Sequence, residues 1–294
     1  MREPSIGVIG GSGLYQIEGL EDARELVVDT PFGAHSEALL AGRMSGRPVY
    51  FLPRHGKGHR ILPSELNHRA NIWALRSLGV RWIISVTAVG SLREAFAPRH
   101  MVVPDQLVDH TSRRTEQTFF GQGIVAHVSL AEPYSEGLRR MLVESCRENG
   151  VTVHDGGTYV NMDGPAFSTR AESKMNRSLG FDLIGMTNAA EAKLAREAEI
   201  ALATLAMVTD YDCWKEDDEE VQVDTLLGHL HANALNAKAV IASMIKKIPT
   251  VPDWKEHRAL DRALITDRSS WPAETCQRMH PILERFLDPA QGSR

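Results

Sequence analysis

Residues 64–91 read SELNHRANIWALRSLGVRWIISVTAVGS, and this stretch decides the fold class. In its first part, residues 64–78, Leu66, Ala70, Trp73, Ala74 and Leu78 recur on one helical face, the 3.6-residue period of an amphipathic helix. The period then changes. Residues 82–86 form a short run of bulky, partly β-branched side chains that reads as a buried strand, and residues 87–91 (TAVGS) read as a turn of small residues.

The same alternation extends in both directions. Strands are expected at 5–9, 49–52, 101–108, 157–161 and 201–208, and helices at 134–149, 170–178, 189–197 and 225–248. Helices alternating with apolar strands predict an α/β fold: a single domain with a central mixed, mostly parallel β-sheet flanked by helices, its ligands at the carboxyl ends of the strands. Composition breaks only at the proline-bearing residues 246–254 and the acidic run 216–220, the latter expected to be solvated. The expected organisation is a main domain over 1–250 and a C-terminal helical extension over 251–294. Two short helices, around 257–266 and 273–286, are too few for a core of their own and should dock on the main body or a neighbouring subunit.

Composition narrows the function classes. The 294 residues, 43% apolar and 24% charged, are those of an ordinary globular chain rather than a disordered or fibrous one. With 33 Lys and Arg against 38 Asp and Glu, there is no broad cationic field for nucleic acid or an anionic membrane, so any anion must be held by a local pocket. Three scattered cysteines, Cys146, Cys213 and Cys276, form no CxxC and no disulfide framework, which suits a reducing cytoplasm. The N-terminus has no secretory pattern, and no stretch of about 18 apolar residues occurs.

Chemistry-bearing residues cluster just after the expected strands. Gly10-Gly11-Ser12-Gly13 follows the first, where backbone N–H groups and a hydroxyl can approach a phosphate; it is neither a P-loop nor a GxGxxG. Arg54-His55-Gly56 places a guanidinium and an imidazole after the second, suited to phosphate or carboxylate capture. His55 and His59 share the spacing of a helical metal pair, but glycines at 56 and 58 oppose a helix, and no metal is expected. The 87–91 turn offers a third anion cradle. Phe167, before a capped helix, is either a stacking ring or core; Met186 and Thr187 end another apolar stretch; and Asp210 and Asp212 close the last strand, where a carboxyl can grip the N–H groups of a heterocycle. His229 and His231 read as helix-surface residues.

Nine blocks, IGVIGGSGLY, DTPFG, RHGKGH, NHRANIWALRSLG, TAVGSLRE, DQLVDHT, MDGPAFSTRAES, GMTNAAEAKLAREAEI and TDYDCWKE, resemble in order the trimeric purine nucleoside phosphorylases, specifically the methylthioadenosine phosphorylases, over residues 5–248. The resemblance implies a nucleoside phosphorylase-like fold and phosphorolysis of 5′-methylthioadenosine to adenine and 5-methylthioribose 1-phosphate, with no metal or organic cofactor and phosphate as co-substrate. It assigns Ser12, Arg54, His55, Thr87, Ala88 and Thr187 to phosphate, Met186 to the ribose, and Phe167 and Ser168 to the base. It places Asp210 at N7 and the 6-amino group, as the proposed general acid, and Asp212 on the same base edge. Val223, Leu226 and Leu227 would line the methylthio pocket, and His127 would reach across from the adjoining subunit of a homotrimer, with a higher assembly of trimers also open.

An aspartate favours adenine, because a 6-oxo purine presents a second acceptor to a carboxylate. Two departures stand out. Many relatives have Val-Pro-Glu or Met-Pro-Glu where this chain has Asn188-Ala189-Ala190-Glu191, and the segment beyond Pro252 does not follow the family pattern. The alternatives are a methylthioinosine or general purine nucleoside phosphorylase and, from another class, a non-catalytic nucleoside-binding protein; a nicotinamide oxidoreductase would lack its GxGxxG.

Overall fold

The computed structural model describes residues 3–11, 19–112, 114–215 and 223–287. Its axis is β5 (Val80–Ser91), twelve residues long and almost entirely buried. On one side β5 pairs in parallel with β1 (Ser5–Gly10), and β1 in turn with β4 (Arg47–Pro53). β3 (Leu39–Met44) and β2 (Glu21–Leu26) extend that edge antiparallel. On its other side β5 pairs in parallel with β11 (Ala201–Asp210), from Trp82↔Ala201 to Gly90↔Asp210.

The sheet forks where β5 ends. Gly90 and Ser91 pair antiparallel with β10 (Leu183–Gly185), which carries β9 (Thr158–Asn161) and then β7 (Gln106–Asp109) in parallel. β11 meanwhile takes β6 (Met101–Val103) antiparallel, followed by β8 (Val153–Asp155) in parallel. The result is the mixed, mostly parallel sheet expected. Strand side chains alternate between faces. Ile6, Val8, Trp82, Ile84, Ala203 and Leu205 point to α2 (Glu136–Glu148) and α5 (Val223–Ile245), which return Leu138, Leu142, Ile241 and Met244. Ile9, Leu52, Ile83 and Leu202 point the other way, to α1 (His68–Ser77) and α4 (Asn188–Glu197).

Four expectations are corrected. The strand expected over 101–108 is two strands on opposite arms of the fork, because Pro104 supplies no N–H to a ladder and the chain turns there. Residues 87–91 are not a turn: β5 runs through them, since β11 and β10 supply partners for even this glycine-bearing stretch. In the C-terminal segment, only a short 3-10 turn, Lys255–Arg258, forms where a helix over 257–266 was expected. The helix expected over 273–286 breaks at Met279 into α6 (Ala273–Arg278) and α7 (His280–Leu287), with Pro281 in the first turn of the second, where a missing N–H costs nothing.

This segment has no core of its own. Leu260, Ala263, Met279, Ile282 and Leu283 join the cluster of Ile72, Leu75, Ala195 and Ile83. Leu283→Ala should therefore lower the stability of the whole molecule by about 2–5 kcal/mol, the usual cost of deleting a buried leucine side chain. In urea unfolding followed by circular dichroism, the main transition should shift; a shift confined to a separate minor transition would contradict a shared core.

Candidate active site

Along β5, one face changes character toward the carboxyl end: apolar Ile83 gives way to Ser85 and then Thr87, all three buried. Into this polar end reaches Arg54, the residue after β4, which is 1% exposed. Its Nε donates to Glu191 Oε1, its Nη2 to Glu191 Oε2 at 3.1 Å and to Ser85 Oγ at 2.9 Å, and its Nη1 to Val86 O at 3.2 Å. Four of the five guanidinium N–H groups thus have partners among the described residues. Nη1 also faces Gly11, just after β1, where a Cβ would lie 3.8 Å from it.

Glu191 lies in the first turn of α4 and is as buried as its partner. Burial alone would raise its carboxyl, but the Arg54 charge and the Arg54 and Ser85 hydrogen bonds hold it below the usual range. Next to it, Asn188 is fully buried. Its Oδ1 accepts from the Tyr134 hydroxyl at 2.6 Å and from Thr204 Oγ1 at 3.0 Å, while its Nδ2 donates to Ser85 Oγ at 3.3 Å. The helix start that lacks the family proline is therefore pinned by a buried side chain rather than by a ring.

Thr187, immediately before α4, is 4% exposed, and its Oγ1 has no hydrogen-bond partner among the described residues. Such a hydroxyl at a helix N-terminus fits an anion. His55 is buried, its Nδ1–H donates to Ile61 O at 2.9 Å, and its ring stacks on His59 with centroids 4.4 Å apart. Burial and then the Arg54 charge push its imidazole down to about 4, so it is neutral at pH 7, with Nε2 as an acceptor. Thr87 is buried, and Ala88 is the one exposed residue of β5.

At the end of β11, Asp210 Oδ1 accepts from the N–H of Asp212 at 2.8 Å, closing a tight turn in which Asp212 takes a positive φ of 53°. Burial pushes both carboxyls up, and the charge of Asp212 adds to the effect on Asp210. Gly90 makes room for the pair: a Cβ there would lie 3.1 Å from Asp210 Oδ1 and 3.3 Å from Asp212 Cβ. Ser168 joins this edge through its carbonyl, which accepts from Cys213 Sγ at 3.2 Å.

Met186 sits beside Thr187 in a pocket also lined by Asn161, His68 and Thr111, and its Sδ fills the space a Cβ on Gly164 would need. Phe167 is 56% exposed, and His127 is exposed on the segment before α2, its N–H donating to Ala263 O at 2.8 Å. Ser12 lies outside the described residues, as does the acidic run 216–220. Val223, Leu226 and Leu227 fall in the first turns of α5, and their side chains are likewise not described. Among the described residues, no group of three or more His, Cys, Asp or Glu converges as a metal shell.

The family model described as "Phosphorylase superfamily" matches residues 5–246. The chain belongs to that superfamily. It is 50% identical to the S-methyl-5′-thioadenosine phosphorylase of Geobacter sulfurreducens, over 97% of this chain and 100% of that one. It is also 50% identical to the enzyme of the same name from Synechocystis, over 99% and 90%. A methylthioadenosine phosphorylase from an Antarctic soil metagenomic library superposes with a TM-score of 0.91 at 46% identity, covering 96% of this chain and 100% of that one. The methylthioadenosine phosphorylase of Schistosoma mansoni in complex with adenine superposes at 0.79 with 36% identity, covering 88% and 96%.

Of the expected residues, the phosphorylase fold thus gathers Arg54, His55, Thr87, Ala88, Met186 and Thr187 along strand ends, with Asp210, Asp212 and Ser168 on a neighbouring edge. The sequence reading missed Glu191, Asn188 and Ser85. The available signal was a glutamate and an asparagine opening an otherwise alanine-rich, buried helix. It also misplaced His229, which is half-buried, its Nδ1 2.7 Å from Thr209 O, whereas His231 is exposed as expected.

Breaking the Arg54–Glu191 pair leaves a buried guanidinium uncompensated. Glu191→Gln should cost about 3–5 kcal/mol in urea unfolding. Because the Glu191 carboxyl is depressed in the folded state, its stabilisation is present above the ordinary carboxylate pKa of about 4.3 and is lost as pH falls below it. The variant should therefore lose less stability than the parent between pH 6 and pH 3. Equal acid slopes for the two proteins would contradict the assignment.

Proposed function

We propose that the enzyme catalyses phosphorolysis of 5′-methylthioadenosine, giving adenine and 5-methylthioribose 1-phosphate, and that the residues above divide the work in two. The observation that carries the reading is that the carboxyl ends of parallel strands bear anion-binding groups, beside β4 and β5, and a raised, paired carboxyl, at the end of β11. Glycosidic cleavage by phosphate needs both at once.

At the first end, the unpaired Thr187 hydroxyl, the Ala88 N–H, Thr87, His55, Ser12 and the remaining Arg54 N–H would hold phosphate. Because Glu191 already neutralises Arg54, the phosphate keeps most of its negative charge to face the positive charge that develops at C1′. At the second end, Asp210 would supply a proton to N7 as the purine takes the bonding pair from C1′. Met186 would lie along the ribose and Phe167 along the base, with Asp212 and Ser168 steadying the base edge. The first turns of α5, with Val223, Leu226 and Leu227, would enclose the methylthio group.

The reading extends to a homotrimer without metal or organic cofactor, working in the cytoplasm. Exposed His127 stands near two exposed apolar side chains, Val125 and Ile265, which are joined by an Ile265 N–H to Val125 O bond of 2.9 Å and suit a neighbouring copy. The thiols of Cys146, Cys213 and Cys276 are free, and among the described residues no helix is long and apolar enough to cross a membrane.

Base release from 5′-methylthioadenosine, 5′-methylthioinosine, adenosine and inosine, with and without phosphate, tests the reading. Adenine release that requires phosphate and is fastest with the methylthio substrate is expected, and Asp210→Asn should lower kcat by about 10²- to 10⁴-fold. Preference for the 6-oxo nucleoside would overturn the adenine assignment, and release that ignores phosphate would overturn phosphorolysis.

A further inference from the structure

The pairing of β5 with β11 is regular through Val89↔Val208 and then slips, so that Asp210 rather than Thr209 faces Gly90. Thr209 is therefore the extra residue of a β-bulge. Such an insertion changes which face the following side chain joins, and here the following side chain is Asp210. α5 grips the distortion from outside: His229 Nδ1 is 2.7 Å from Thr209 O and, one helical turn on, Asn233 Nδ2 donates to Val208 O at 2.9 Å.

The Thr209 hydroxyl has a choice of acceptors. It is 98% buried with its residue, 2.7 Å from Asp210 Oδ2 and 3.2 Å from Val89 O. It has one hydrogen, and Val89 O can only accept. With Asp210 ionised, the hydroxyl can serve one of the two acceptors and leaves the other short. With Asp210 protonated on Oδ2, the carboxyl donates to Thr209 and Thr209 donates to Val89, and every group is satisfied.

We propose that Thr209 is a positioning residue for Asp210. Its hydroxyl donates to Val89 O while Asp210 holds the proton and turns to Asp210 Oδ2 as that proton leaves, within a bulge fixed by His229. The inference rests on Asp210 being the acid of the reaction proposed above. In that step a phosphate oxygen bonds to C1′, the C1′–N9 pair moves into the purine, and the proton passes from Asp210 to N7. The Asp210 O–H turns from Thr209 to N7 to deliver the proton, and rotation of the Thr209 hydroxyl away from Val89 O then supplies the new carboxylate with a donor. The titratable groups facing Asp210 are Asp212 on its own turn and His229 from α5; β5 opposite presents Val89 and Gly90, which carry none.

The test is the pH profile of Thr209→Val and Thr209→Ser beside Asp210→Asn, with kcat and the KM for phosphate measured separately. Thr209→Val removes a donor to the carboxylate, so the acid should stay protonated to higher pH. Its kcat should fall about 10- to 100-fold, the alkaline limb should move to higher pH, and the KM for phosphate should be unchanged. The serine variant, which keeps the hydroxyl, should restore both kcat and the limb. A fall in Thr209→Val that is equal at every pH, or no fall at all, would overturn the proposal, as would a serine variant that behaves like valine. Asp210→Asn should lose the alkaline limb. If it keeps the parent limb, the assignment of the acid is wrong; if the limb is lost there but unmoved in Thr209→Val, only the role of Thr209 is wrong. His229→Leu provides a second handle on the bulge: kcat should fall with the KM for phosphate unchanged, and a parent-like kcat would contradict the part given to His229.

Discussion

A buried ion pair organises this molecule. Arg54 comes from the end of β4, Glu191 from α4, and the two meet over Ser85 of β5 in a buried region away from water. A guanidinium at 1% exposure is tolerable only if its charge is matched and its N–H groups are occupied. The surroundings meet that demand: Val86 gives a carbonyl, Ser85 a hydroxyl, and Asn188 locks the helix start to Tyr134 and Thr204. The constraint fixes where α4 begins, and so where the unpaired Thr187 hydroxyl points.

The same helix organises the segment beyond the sheet. Lys193 pairs with Asp109 and donates to Gln117 Oε1 at 2.7 Å, Arg196 donates to Ser129 O at 2.7 Å and Glu132 O at 2.6 Å, and Glu197 accepts from Phe119 N at 2.7 Å. The stretch that carries His127 is thus mounted on the helix whose other end frames the anion site. Burial pushes the Glu197 carboxyl up to about 7 despite those donors, so this mounting contains a group that titrates near neutrality. The strand-end residues and the exposed stretch around His127 are thus held by one helix.

Much of this was legible in the sequence, and what was not has identifiable causes. Helix 170–178 was readable because capping residues mark its start, and Thr169 and Glu172 do form the reciprocal cap; helix 189–197 was readable from its repeating apolar face alone. Charged Glu21–Leu26 passed unnoticed as a strand because an exposed edge needs no apolar run, and Leu39–Met44 because Gly42 and Arg43 interrupt its short apolar run although Leu39, Ala41 and Met44 are buried. The single strand assigned over 101–108 failed because apolar character does not say which arm of a forked sheet each half will join. At the site, Arg54, Thr187 and Asp210 announced themselves by type and by position after strands. Glu191 and Asn188 did not, because their partners in other elements lie between 16 and 137 positions away along the chain and only packing brings them together. The bulge at Thr209 is invisible in one sequence, since it is a property of register with β5 rather than of composition.

The account stands or falls on the identity of the attacking group. Turning over 5′-methylthioadenosine with ¹⁸O-labelled inorganic phosphate in unlabelled water, and locating the label by the isotope shift in the ³¹P spectrum of the sugar product, tests this directly. The account predicts a pentose 1-phosphate in which a labelled oxygen bridges C1 and phosphorus. Free methylthioribose carrying an oxygen from water at C1 would contradict it, and the strand-end residues would then serve a hydrolase.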